Sequence, residues 1–247
     1  MTLEWIAENI RISLFSSEVV TLTNSDWKKV TGQEEPESQQ KVLGRHTMSA
    51  PFQSGLLTIT ASGTRIDCVL SPKPMKEVEE GYIPSLGDWP TACGAFLEAT
   101  KEWVGQLAAP IVRIAFGAVL LNRCPTRKEA YTSLIQLLKS VNGDAGRMRE
   151  LIYRINWPVE SNSVPGLTLN RITQWAVLEL RTQIMMIAPG TPVIERSAAA
   201  PIFVIRLELD HNTDEGRMDL FNRDSRDLIY KELVQLALEN AEKGELK

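Results

Sequence analysis

Along several stretches of this chain apolar and polar residues alternate, and each alternation predicts a strand with one face in the core. Over Ile10–Val20, Ile10, Ile12 and Leu14 alternate with Arg11 and Ser13. Gly55–Ser71 reads as a hairpin, with Leu57–Ile59 and Ile66–Leu70 flanking Ser62-Gly63, and Pro72 and Pro74 ending its second strand. Glu150–Trp157 sets Leu151, Tyr153, Ile155 and Trp157 against Arg154 and Asn156, and Leu167–Ile184 is a longer run centred on Trp175–Arg181. Over Ile202–Asp210, Phe203, Ile205, Leu207 and Leu209 face one way, and Arg206, Glu208 and Asp210 the other. Ile111–Leu121 is nearly continuous in apolar residues, as expected of a central strand covered on both sides.

Helical spacing shows in three places. Phe96, Trp103, Val104 and Leu107 share one face of a helix that Thr91 caps. After Pro125, Thr126-Arg-Lys-Glu129 is a capping box, in which hydroxyl and carboxylate satisfy each other's exposed amides. It predicts a helix over Thr126–Asn142, with Ala130, Leu134, Leu137, Leu138 and Val141 inward and a stop at Asn142-Gly143. A closing helix runs from about Ser225 to Glu242, with Leu228, Ile229, Val234 and Leu238 as its stripe and Gly244 beyond it. Thr23–Ser54 has few apolar residues and carries Pro36, so it reads as a long polar loop with at most a short helix around Ser25–Val30. Lys73–Pro90 and the Pro189, Gly190, Pro192 segment read as connecting loops.

The resulting order, β-ββ-α-β-α and then β-β-β-α, resembles a duplicated sheet-plus-helix unit with halves at 1–145 and 146–247. It predicts an α+β fold of largely antiparallel sheet with helices packed on one face, the halves forming one continuous sheet or standing apart.

Composition narrows the class. With 247 residues, 43% of them apolar, the chain can bury a core, which excludes a disordered protein. A net charge of −4 argues against nucleic acid as the main direct ligand. The longest apolar runs, Ile114–Leu121 and Ala198–Ile205, have eight residues each, far short of the roughly 18 that cross a membrane. Glu4 stands where a signal peptide carries a base. Three cysteines, Cys68, Cys93 and Cys124, form no disulfide framework, so a reduced, cytoplasmic protein is expected.

From about Phe96 onward the order of features resembles a sporadically distributed family of uncharacterised bacterial proteins. The likeness rests on a helix, a strand like Ile111–Phe116 running on to Asn122-Arg123, and paired strands like Leu151–Trp157 and Thr173–Arg181. A strand like Phe203–Asp210 and a long closing helix complete it. Members are sometimes encoded near phage-defence genes. The resemblance implies a fold and a bacterial setting, and no catalytic residues.

The candidate chemistry is dispersed. His46 and His211 are the two histidines, neither in a metal-ligand spacing with the cysteines, and no nucleophile elbow, P-loop or dinucleotide turn is present, so neither metal nor cofactor is expected. Asp210–Gly216 is similar to the start of a calcium loop but has Glu215 at its sixth position and Phe221 at its twelfth, and reads as a solvated acidic turn. Cys93, near a helix start, has no adjacent base. Arg123, Arg127 and Lys128 flank the Thr126 cap as a candidate anion site. Arg154, Glu179, Arg181, Arg206, Glu208 and Asp210 form a candidate partner-binding strand face. The reading that follows is a non-catalytic interaction subunit of a bacterial multi-protein assembly, in the setting of phage defence, contacting another protein subunit and no membrane, with self-association open. The alternative is a divalent-metal-dependent hydrolase or nuclease using Glu179, Glu208 and Asp210.

Overall fold

The structure, a computed structural model, describes residues 3–74, 81–181, 183–188, 191–196, 200–216 and 219–246, with 183–188 and 191–196 described as backbone. The elements run β1 (Ile6–Ser16), α1 (Asn24–Thr31), β2 (Ser38–Val42), β3 (Arg45–Phe52), β4 (Gly55–Ser62), β5 (Arg65–Pro72), α2 (Trp89–Gln106), β6 (Ile111–Cys124) and α3 (Arg127–Leu137). They continue with β7 (Ile152–Asn156), β8 (Val159–Glu160), β9 (Thr168–Leu180), β10 (Gln183–Ala188), β11 (Thr191–Arg196), β12 (Ile202–Thr213) and α4 (Arg223–Lys243). Ten strands form one antiparallel sheet in the order β2-β3-β4-β5-β1-β6-β12-β9-β7, with β8 also on β9, while β10 and β11 pair as a separate ribbon. The fold is α+β. The sheet runs across the 145/146 boundary, because β6 pairs with β12 from Cys124↔Phe203 to Ala115↔Asn212.

Strand alternation decides where the core lies. Ile10, Ile12 and Leu14 of β1 stand in line with Ala118, Phe116 and Ile114 of β6, and Leu209 and His211 of β12 continue those rows. Against that face lie the helices, through Trp89, Cys93 and Phe96 of α2 and Ile229, Tyr230 and Leu233 of α4, all fully or nearly buried. Phe116 sits between the Trp89 and Tyr230 rings at 6.4 and 6.1 Å. In α4 the buried stripe is thus Ile229, Tyr230, Leu233, Val234, Ala237 and Ala241, whereas Leu228 is exposed. Arg226 holds the two long helices together: its guanidinium donates to the Leu107, Ala109 and Phe221 carbonyls, the first two freed by the end of α2.

Helix ends differ from expectation in informative ways. Asp88, three residues before Thr91, caps α2 by accepting from the Thr91 amide at 3.1 Å, and Pro90 fits the first turn because no bond is required of it there. At α3, Thr126 accepts from the Glu129 amide at 3.2 Å. The reciprocal capping box is complete at α1 instead, between Thr23 and Asp26. Helix α3 stops at Leu137, five residues before Asn142, because the Glu245 amide takes the Leu137 carbonyl at 2.9 Å and the Glu245 carboxylate takes the Ser140 amide. The helix α4 ends at Gly244 (φ 75°), where a Cβ would run into the Leu137 carbonyl.

Two segments read as loops carry structure. Residues 23–54 hold α1 and the β2–β3 hairpin; β2 is exposed throughout, so no apolar alternation announces it. Of the Pro189, Gly190, Pro192 segment, Pro192 belongs to β11, while Pro189 and Gly190 lie outside the described residues.

Candidate functional site

The side of the sheet away from the helices carries the polar set. Register places Glu208 of β12 opposite Gln174 of β9, which stands opposite Arg154 of β7. Arg206 and Asp210 flank Glu208 on the same side of the strand. Glu208 ion-pairs with Arg206 and accepts from Gln174 at 3.4 Å. Two strands away, β1 bulges: Ala7 faces Leu120 and Asn9 faces Val119, so Glu8 is an extra residue, and its carboxylate meets Arg206 at 3.7 Å. Farther along, Arg11 lies over Gly117, where a Cβ would come within 3.1 Å of the guanidinium and 3.2 Å of the Leu209 carbonyl. Glycine here makes the seat in which the arginine lies. A third row stacks Phe15 between Arg65 and Arg113, with guanidinium-to-ring distances of 5.4 and 5.0 Å. Arg113 then donates to Asn212, which also accepts from Asn170. The face therefore mixes signs, donors and acceptors over six strands. Its central positions are small or shielded (Ala115 6% exposed, Leu121 4%) although no helix covers them, which corrects the two-sided cover expected of Ile111–Leu121.

The six residues grouped by alternation divide four and two. Glu179 of β9 pairs with Phe203, which places it and Arg181 on the helix side, opposite to Glu208 and Asp210. There Arg127 of α3 donates to Glu179 at 2.6 Å and stands 5.4 Å from the Phe203 ring, and Arg181 pairs with the other carboxylate oxygen. Bonds from Arg127 and then Arg181 hold the Glu179 carboxyl below its ordinary range. The sheet thus separates Glu179 from Glu208 and Asp210, so these three cannot share a metal. Among the described residues no three His, Cys, Asp or Glu side chains converge as a metal site. The anion trio divides too. Arg123 belongs to the open side and donates to the Gly81 carbonyl at 3.4 Å, and the Pro125-Thr126 turn then carries the chain to the helix layer. Arg127 is neutralised by Glu179, and Lys128 lines a shallow depression that also contains Glu129. Burial pushes the Cys93 thiol up to about 12, so no thiolate forms there.

Two buried carboxylates escaped the sequence. Glu245, 1% exposed, accepts from the Ser140 amide and hydroxyl at 2.8 Å each, the Tyr153 hydroxyl at 2.7 Å and the Trp157 indole at 3.2 Å. Glu232 accepts from the Ser161 hydroxyl at 2.6 Å and the Asn162 and Ser163 amides at 2.7 and 3.2 Å. Burial alone would raise both carboxyls, but the converging donors outweigh it and hold them low. They fasten the β7–β8 edge to α4. Their donors lie 69 to 105 residues away in sequence, so no local pattern marks them.

At one end of the open face a groove of about 570 Å³ is lined by Leu121, Leu178, Leu180, Ile83 and three prolines together with the charged Glu8, Lys73 and Arg206. The arrangement offers a polar, mixed-charge plane beside an apolar slot, the chemistry of a recognition surface. Neither a protein-family model nor a curated protein nor a solved structure matches this chain.

Proposed function

We propose that the chain is a non-catalytic interaction subunit of a bacterial cytosolic multi-protein assembly, with phage defence as the setting its family resemblance suggests. One observation carries the reading: the described helices all pack on one side of the ten-stranded sheet and leave the other as a broad face bearing Arg11, Arg154, Arg206, Glu208 and Asp210. Exposed ion pairs such as Arg206–Glu208 contribute little to folding. Mixed-sign charges on a flat sheet instead suit selection and alignment of a protein partner, because a wrong partner juxtaposes like charges.

The test is recovery of the tagged chain from its native cells with a stoichiometric partner, followed by binding measurements on purified components. Arg154→Glu and Glu208→Arg, both clear of the groove, should each weaken the complex about 10- to 100-fold while far-UV and near-UV circular dichroism stay as in the parent. Undiminished binding by both variants refutes the reading.

A further inference from the structure

At one edge of the sheet lies β2, whose five residues are all exposed and which, among the described residues, pairs with β3 alone. Pro74, Tyr82 and Leu180, which bracket residues 75–80 and precede 182–199, border the groove over Leu121 instead, five strands from β2. Val42↔Arg45 closes the Leu43-Gly44 turn, and in a hairpin loop of that length the closing pair is the hydrogen-bonded kind. By alternation Gln40 and Ser38 also bond to β3, while the N–H and C=O groups of Gln39 and Lys41 point outward from the edge. Neither proline nor bulge interrupts β2 to block a further strand.

The two ends of this edge carry opposite charge. Glu35 and Glu37 stand just before β2, and Lys41 and Arg45 stand on either side of its turn; all four are exposed and, among the described residues, none is in an ion pair. Beside them Val42 is 66% exposed and Leu43 fully so. An antiparallel neighbour brings the acidic end of one such edge against the basic end of another, whereas a parallel one would juxtapose like charges. With a two-fold axis at Gln39, Lys41 stands directly across from Glu37 of the second copy, at a Cβ separation of about 5 Å, and Val42 stands across from Pro36. Glu35 then comes beside the Leu43–Arg45 turn. A lysine on an edge strand ordinarily discourages pairing, but in this register Glu37 neutralises it. We propose that the protein forms a two-fold dimer through antiparallel pairing of β2 with β2 of a second copy, centred on Gln39. Opposed residues of an antiparallel pair share a face, so the two sheets become one and both open faces look the same way. The inference does not rest on a second protein docking to the charged face.

The full chain should sediment as a dimer at high micromolar concentration, and less so as salt rises, because the contacts include exposed ion pairs. Gln39→Pro removes an outward donor without touching the β3 ladder, and should weaken self-association at least about 10-fold with unchanged far-UV circular dichroism. Glu37→Lys and Lys41→Glu, made separately, should each weaken it about 10-fold. The chain carrying both should recover to within about 3-fold of the parent, since opposite charges again face each other. Crosslinking reads the register even if Gln39→Pro folds poorly. Ser38 faces Gln40 of the second copy in a non-hydrogen-bonded pair, with Cα atoms about 4.5 Å apart. Chains with Ser38→Cys mixed with chains with Gln40→Cys should therefore form a disulfide between copies on mild oxidation, and neither should do so alone. The native cysteines are buried and do not compete. A monomeric parent, a double charge variant no better than the single ones, or a disulfide that is absent from the mixture or forms equally in either chain alone overturns the proposal.

Discussion

Four donors converge on the Glu245 carboxylate, from Ser140 beyond α3, Tyr153 in β7 and Trp157 just after it. Glu245→Gln keeps the shape and one acceptor oxygen but loses the charge and turns an amide nitrogen toward one of the donors, and should cost about 2–3 kcal/mol at pH 7 by urea denaturation. Because the folded carboxyl titrates below its unfolded value, its contribution is present in full above about pH 4.3 and disappears as pH falls through the folded value. The parent should therefore lose stability more steeply below pH 4.3 than the glutamine variant. His211 acts in a different window. It is fully buried, donates from Nδ1 to the Leu233 carbonyl of α4 at 3.4 Å, and lies in register with Arg171 of β9. Burial, with a smaller contribution from the Arg171 charge, pushes its pKa down to about 4, so the folded protein keeps it neutral while the unfolded chain protonates it near 6.5. Stability is complete above pH 6.5 and falls on acidification toward pH 4, by on the order of 3 kcal/mol. In His211→Leu the slope between pH 6.5 and 4 should flatten, whatever the stability at pH 7; an unchanged slope would show that His211 is not its source.

At the scale of elements, α3 is held by one side-chain cap, and Thr126→Ala should lower stability by about 1 kcal/mol in equilibrium unfolding, since the Glu129 amide then loses its acceptor. The position of that cap was legible in Thr126-Arg-Lys-Glu129, but the helix's end was not. Leu138 and Val141 continue the helical spacing, and the stop is imposed by the Glu245 amide from more than 100 residues away. The same contrast holds for the strands. Period-two alternation gives the two faces of β12, with Arg206, Glu208 and Asp210 together. It cannot say which face of β9 aligns with which face of β12. That parity is a property of the register, and a shift of one residue would have moved Glu179 to the other side. The β2 strand was illegible because it has no buried position, and the β10–β11 ribbon because its central residues, Ile184–Ala188 and Pro192–Ile194, show no alternation of apolar and polar positions.

For the whole molecule, the sheet makes the 145/146 boundary a seam between strands rather than between domains. Residues 1–145 alone would present the bare outer edge of β6 and uncover Phe116, which packs on Tyr230 of α4. This fragment should aggregate or lack near-UV circular dichroism, and co-expression with 146–247 should restore a soluble complex; a soluble fragment that unfolds cooperatively would show that the seam is not needed. The strand order also sets a schedule during synthesis. The first strand made, β1, lies between β5 and β6, so Ile10 meets Leu70 first and Ala118 only later. The far edge of β6 then waits for β12, some 80 residues farther on, which at ribosomal speed is roughly 4–16 s. Throughout that interval β6, a long and largely apolar strand, emerges with one side unpaired, a site for a nascent-chain chaperone that the finished protein no longer displays.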